Sequence, residues 1–144
     1  MDTVLSALHV LEYPYTRSTG PVVGRFLSGL RDGRIVGICG IDGRVLVPPT
    51  EYDPVTGDAL HEFVDVGTTG TVVTWAWIAE PRSNNPLQVP FAWALITLDG
   101  ADTPMLHAVD AGSEDAMRTG MRVRARWRAE RNGHITDLEC FEQP

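Results

Sequence analysis

Apolar positions change their period along this chain, and each change marks an element. Val22, Phe26, Leu27 and Leu30 recur at helical spacing. Pro21 suits the first turn of that helix, Ser18 and Thr19 stand ready to cap it, and Asp32-Gly33 ends it. Gly24 and Gly29 weaken such a helix in isolation, so it needs packing support. Residues 1–33 therefore read as a mostly helical segment, although the stretch before Pro14 has no clear period. In residues 34–62 the pattern shortens. Ile35, Val36 and Ile38, then Val45, Leu46 and Val47, form brief apolar runs separated by Gly40 and Asp42-Gly43, which predicts a small hairpin. Pro48-Pro49, Asp53-Pro54 and a turn at Thr56-Gly57-Asp58 follow.

From 63 to 144 the reading is β throughout. Strands are predicted at 71–78, 91–98, 104–110, 121–131 and 134–141, with a polar, proline-rich loop over 80–90 and one helical turn over 112–118. Five strands with a helical turn before the fourth suit a small barrel such as the OB-fold. The predicted fold class is thus mainly β: an N-terminal helix, a small ribbon and a five-stranded OB-fold barrel.

The fourth barrel strand alternates strictly. Met121, Val123, Ala125, Trp127 and Ala129 interleave with Arg122, Arg124, Arg126 and Arg128, giving one apolar and one basic face. Same-face residues stand roughly 6.8 Å apart, a spacing that meets successive phosphates of coenzyme A or a nucleic acid. A hairpin turn at Asn132-Gly133 would set Arg128 opposite Asp137, Arg126 opposite Glu139, Trp127 opposite Leu138 and Ala125 opposite Cys140. In that register two arginines have acidic partners. Arg122 and Arg124 remain free, and are the candidates for a CoA phosphate or a partner.

Composition narrows the function classes. A net charge of −7 opposes a general nucleic-acid binder. All 12 basic residues are arginine. No apolar run reaches the roughly 20 residues of a membrane span, and Asp2 sits where a signal peptide carries positive charge. The expected compartment is the cytoplasm, with Cys39 and Cys140 as free thiols.

Two stretches have the outline of zinc knuckles without their cysteines. Cys39-Gly40-Ile41-Asp42-Gly43 follows C-x-x-C-G, and Asp53-Pro54-Val55-Thr56-Gly57 follows C-P-x-C-G. The four ligand places, Cys39, Asp42, Asp53 and Thr56, offer one thiol, two carboxylates and a hydroxyl, whereas structural zinc takes thiolate or imidazole. No metal is expected.

These outlines, the helix leading into Cys39, the Pro48-Pro49 pair, Gly70-Thr71-Val72, Pro90-Phe91-Ala92 and Thr119-Gly120-Met121-Arg122-Val123 occur in a fixed order from about residue 14 onward. As an ordered set they resemble the acyl-CoA-associated proteins built from an N-terminal helix, a rubredoxin-like zinc ribbon and an OB-fold. The resemblance implies a ribbon shape without its metal, held by packing of Val45, Val47, Tyr52 and the prolines. It also implies a partner: a thiolase-like or lipid-transfer-protein-like enzyme subunit, such as an aldolase that shortens steroid side chains as CoA thioesters, or an acyltransferase. On that reading the catalytic residues lie in the partner. The CoA thioester is the substrate of the complex, and no cofactor is tightly bound.

The residues themselves offer little chemistry. His9, His61, His107 and His134 are scattered without metal-ligand spacing, and no nucleophile elbow or phosphate-cradling loop occurs. His107 reads as a hydrogen-bonded barrel residue, Cys140 as a buried thiol, and Trp75, Trp77 and Trp93 as core. The competing functions are a single-strand nucleic-acid-binding OB module and a free-standing acyl-CoA binder.

Overall fold

The structure, a computed structural model, describes residues 2–144. Helix α1 spans Gly20–Arg31 and buries Val22, Phe26 and Leu30. Thr19 makes no side-chain cap; Ser18 Oγ instead accepts from the Gly20 N–H at 3.2 Å. Residues 2–19 form no regular element, so the helical segment expected over 1–33 is confined to α1. The apolar residues of that arm, including Leu5, Leu8 and Leu11, are exposed and have no face to bury. Gly29 is needed where it stands. A Cβ there would lie 2.8 Å from Val36 Cγ2 and 3.2 Å from the Arg34 carbonyl, so its absence lets the helix close onto the ribbon.

The ribbon has strands β1 (Ile35–Cys39), β2 (Val45–Leu46) and β3 (Phe63–Val66), in the order β2-β1-β3 and antiparallel. The pairing of β3 with β1 carries the ribbon as far as Val66. Its own small core is Val22, Ile38, Leu46 and Leu60, with Phe63 packed against it. Tyr52, expected to help replace the metal, is 60% exposed. Leu60 fills that role because the Tyr52–Ala59 bridge folds the second knuckle back on itself.

The barrel has strands β4 (Thr69–Ile78), β5 (Phe91–Leu98), β6 (Met105–Asp110), β7 (Arg122–Trp127) and β8 (Leu138–Glu142). It closes in the order β4-β5-β6-β8-β7, with β7 returning to β4. A short 3₁₀ turn, Glu114–Ala116, precedes β7 as expected. Val72, Ile96, Leu98, Met105, Val123 and Phe141 fill the interior together with Phe26 and Leu30 of the helix, so helix and barrel share one core. Gly70 permits the close pairing of β4 with β5: a Cβ there would meet the Thr97 carbonyl at 2.6 Å.

Three features lie beyond the sequence pattern. The proline-rich loop is not loose. Leu87 is buried on the outer barrel face, over Phe91, Ala108 and Cys140. The β5–β6 turn docks the ribbon: Val45 N–H donates to Asp102 Oδ2 at 2.8 Å, and Val47 N–H to Thr103 Oγ1 at 2.9 Å. Finally, β6 and β8 pair in parallel only at Val109–Phe141 and Asp110–Glu142, which leaves a seam open beside Leu106, His107 and Leu138.

Candidate functional site

The two knuckles come together, but through a carboxylate. Asp53, 6% exposed, accepts the Ile41 N–H of the first knuckle at 2.9 Å and the Val55 and Thr56 N–H groups of its own knuckle at 2.8 and 3.0 Å. These backbone donors, Ile41 first, hold its pKa below the usual carboxylate value. Asp42 is occupied by Arg44, whose N–H and Nε both donate to it at 3.0 Å, and Thr56 Oγ1 accepts from the Asp58 N–H at 3.2 Å. Cys39 is a half-buried free thiol. Among the described residues no three His, Cys, Asp or Glu side chains gather as metal ligands. The donor set does not fit zinc, because its carboxylates are already spent on N–H groups.

The arginine strand keeps its alternation up to Arg126, where a β-bulge shifts the register. Arg126 faces Cys140 and Ala125 faces Phe141, not Cys140 as the turn-centred register predicts; Trp127 faces Leu138 as expected. The cause is the turn itself. Asn132-Gly133 is no two-residue hairpin turn, since a 3₁₀ turn at Ile135–Asp137 follows it. Asp137 is drawn into that turn. It is 2% exposed and accepts the N–H groups of Asn132, Gly133 and His134 at 2.7–3.2 Å. Burial alone would raise its pKa; the three donors outweigh that and lower it. Asp137 is therefore not the partner of the Arg128 side chain. Only the backbones meet, Arg128 N–H to the Asp137 carbonyl at 2.9 Å.

Arg126 is bound more fully than expected, by Glu139 at 2.8 Å, Asp110 at 3.0 Å and Glu142 at 3.1 Å. Partial burial would lower its pKa, but these three carboxylates raise it. Arg122 is not free: it makes a two-pronged pair with Asp99 at 2.6 and 2.8 Å and also donates to Thr71. Arg124 reaches Glu142 at 3.4 Å. Asp99 is not visible in the hairpin pattern, because it sits in the β5–β6 turn, beyond β4, and not in the neighbouring strand. Arg118, outside the alternating strand, lines a recess of about 400 Å³ with Gly120, Met121 and Arg122 and has no ion pair among the described residues.

His107 is buried, with Nδ1 accepting the Ala108 N–H at 2.9 Å and its ring edge-on to Phe141. Burial pushes its pKa down to about 4, so the imidazole is neutral at pH 7. Burial raises the Cys140 thiol to about 12. Both follow the structural expectation. Trp75 and Trp77 pack against the main core, and Trp93 against the outer cluster. No helix among the described residues is long and apolar enough to cross a membrane.

Helix, three-stranded ribbon and closed five-stranded barrel, in that order, define a ribbon–OB-fold protein. Residues 63–128 match the family model of the ChsH2 C-terminal OB-fold domain. Among solved structures, a DUF35-family protein of unknown function from Sulfolobus solfataricus superposes with a TM-score of 0.60 at 21% identity, covering 74% of this chain and 77% of that one. A chain of the Ltp2-ChsH2(DUF35) aldolase superposes with a TM-score of 0.63 at 18% identity, covering 89% of this chain and 98% of that one. No curated protein sequence matches the chain.

Proposed function

We propose that this chain is a non-catalytic subunit of an acyl-CoA carbon–carbon lyase of the aldolase kind, acting beside a thiolase-like or lipid-transfer-protein-like enzyme subunit. The observation that carries the reading is the likeness to the aldolase chain, which covers 89% of this chain and 98% of that one, joined to the family match over residues 63–128. The chemistry of the residues supports it. The acceptor nitrogen of buried His107 is already taken by the Ala108 N–H, and the Cys140 thiol is buried and protonated, so neither offers a free base or a thiolate.

Docking falls to the helix–ribbon face. There Pro21, Val22, Tyr52, Leu60 and Phe63 line an apolar groove of about 340 Å³, and Val55 and Ile41 stand exposed nearby. A stable interface buries on the order of 1,200–2,000 Å², much of that face. Phosphates of the CoA substrate fall to the basic recess, where Arg118 supplies an uncommitted guanidinium beside Arg122, with Arg124 further along the strand. The acyl group of the substrate is a steroid side chain or a fatty acyl chain.

Co-expression with a thiolase-like or lipid-transfer-protein-like enzyme, sought first in the neighbouring reading frames, tests the reading. One co-eluting complex is expected, with cleavage of a CoA thioester only when both chains are present. Arg118→Gln should raise KM for the thioester and leave assembly intact, while Tyr52→Glu should weaken assembly. Full activity of the partner alone, with no co-elution, overturns the proposal.

A further inference from the structure

The seam between β6 and β8 holds a cleft that the assembly role does not use. It has a volume of about 300 Å³ and is walled chiefly by Trp93, Leu106, Ile135 and Leu138. The β6–β8 ladder stops at Val109–Phe141, and beyond it Leu106 and His107 line the cleft together with Leu138 and Glu139.

Polar groups at this cleft are few, and their states are defined. His107 lies in its wall, 6% exposed. Its Nδ1 is taken by the Ala108 N–H, which puts the ring proton on Nε2, and Nε2 has no hydrogen-bond partner among the described residues. No side-chain nitrogen or oxygen among them is both sealed from solvent and unpartnered, so Nε2 is not shut inside the core. Glu139 is spent on Arg126 Nε at 2.8 Å, and Thr136 Oγ1 on His134 Nδ1 at 2.9 Å. Arg128 stands at the mouth with no ion pair among the described residues, because Asp137 serves its own turn. The Arg128 backbone is fixed on both sides: its N–H donates to the Asp137 carbonyl, and its carbonyl accepts from Arg131 Nη1 at 2.8 Å. The guanidinium is thus an unmatched cation on an anchored backbone beside a mostly apolar cleft.

We propose that the seam cleft binds a small carboxylic acid with a compact aromatic or apolar body. The body lies between Trp93, Leu106 and Ile135, and the carboxylate pairs with Arg128. Pockets of this kind are mostly apolar, with a few polar groups that fix orientation. A guanidinium fork matches a carboxylate in shape and charge. The site stands independently of the partner enzyme and lies apart from the basic recess at Arg118.

Calorimetric titration of the full chain at pH 7 with 2-naphthoate, and with 2-naphthamide as the neutral isostere, tests the site. Saturable 1:1 binding of the naphthoate is expected, with the amide at least about tenfold weaker, the scale of one lost charge-assisted hydrogen bond. Arg128→Gln should bring the naphthoate down to the level of the amide without changing the amide. Leu106→Gln should weaken both, and Arg118→Gln neither. Each altered side chain is exposed, so folding is not at stake. The proposal fails if the wild type shows no saturable binding, if acid and amide bind alike, or if Arg118→Gln abolishes binding and Arg128→Gln does not.

Discussion

At the scale of the residue, one carboxylate joins what four ligands and a metal join in a zinc ribbon. Asp53 ties three N–H groups from both knuckles. Its pKa is lower in the folded chain than the ordinary 3.8, so its contribution to stability is complete above about pH 4 and is lost as pH falls through the lower folded value. Asp53→Asn, which keeps the shape but removes the charge and one acceptor oxygen, should lower Tm by several degrees at pH 7. The gap between variant and wild type should close as pH falls through the lowered folded value. Thermal melts from pH 2 to 7 check this; a gap that does not change with pH would show that the charge is irrelevant. That the four knuckle places hold one thiol, two carboxylates and a hydroxyl in place of four thiolates is written in the sequence. The stitch is not, because which backbone N–H groups converge on a carboxylate depends on how the two turns face each other. The arginine strand shows the same limit. Its alternation was legible, and so was Glu139 as partner of Arg126. Asp110 and Asp99 come from elements that only barrel closure brings near.

At the scale of the element, Gly29 marks where the helix comes closest to the ribbon strand beneath it. Helix propensity alone would favour Gly29→Ala by up to about 1 kcal/mol. The clash with Val36 and the Arg34 carbonyl outweighs this, for a net loss of about 1–2 kcal/mol. Chemical denaturation checks the sign, and pairing the substitution with Val36→Ala should give a less than additive loss, the mark of a shared contact. A stabilised single variant would show that the helix can ride outward freely. The sequence marked this helix as one in need of support, and the sheet beneath supplies it. The residue pattern could not foresee the register of the last hairpin. Asn132-Gly133 is a strong hairpin signal, yet Asp137 caps a 3₁₀ turn after it, and side-chain acceptors compete with ladder pairing at such turns.

At the scale of the whole molecule, helix, ribbon and barrel form one body. Phe26 and Leu30 reach into the barrel core, and Asp102 and Thr103 bind the ribbon edge to the β5–β6 turn. The order of elements and the barrel class were legible because strand length and turn placement already limit the closures available. Helix and barrel sharing a core was not, since an amphipathic helix does not name the surface it covers. The narrow β6–β8 seam has a consequence for motion. Strand β4 meets β5 over eight paired positions, whereas β6 meets β8 over two. The barrel is therefore a wall with a door: β8 is held along one edge by β7 and lightly along the other by β6, so releasing two ladder positions and the Arg126–Asp110 pair would turn the closed cylinder into an open sheet with every other ladder kept. Amide exchange in deuterated water should find the Phe141 and Glu142 region opening at lower free energy than the β4–β5 ladder. Equal protection on both would mean the door is latched, with buried Leu138 and Phe141 and the Arg126–Asp110 pair as the bolt.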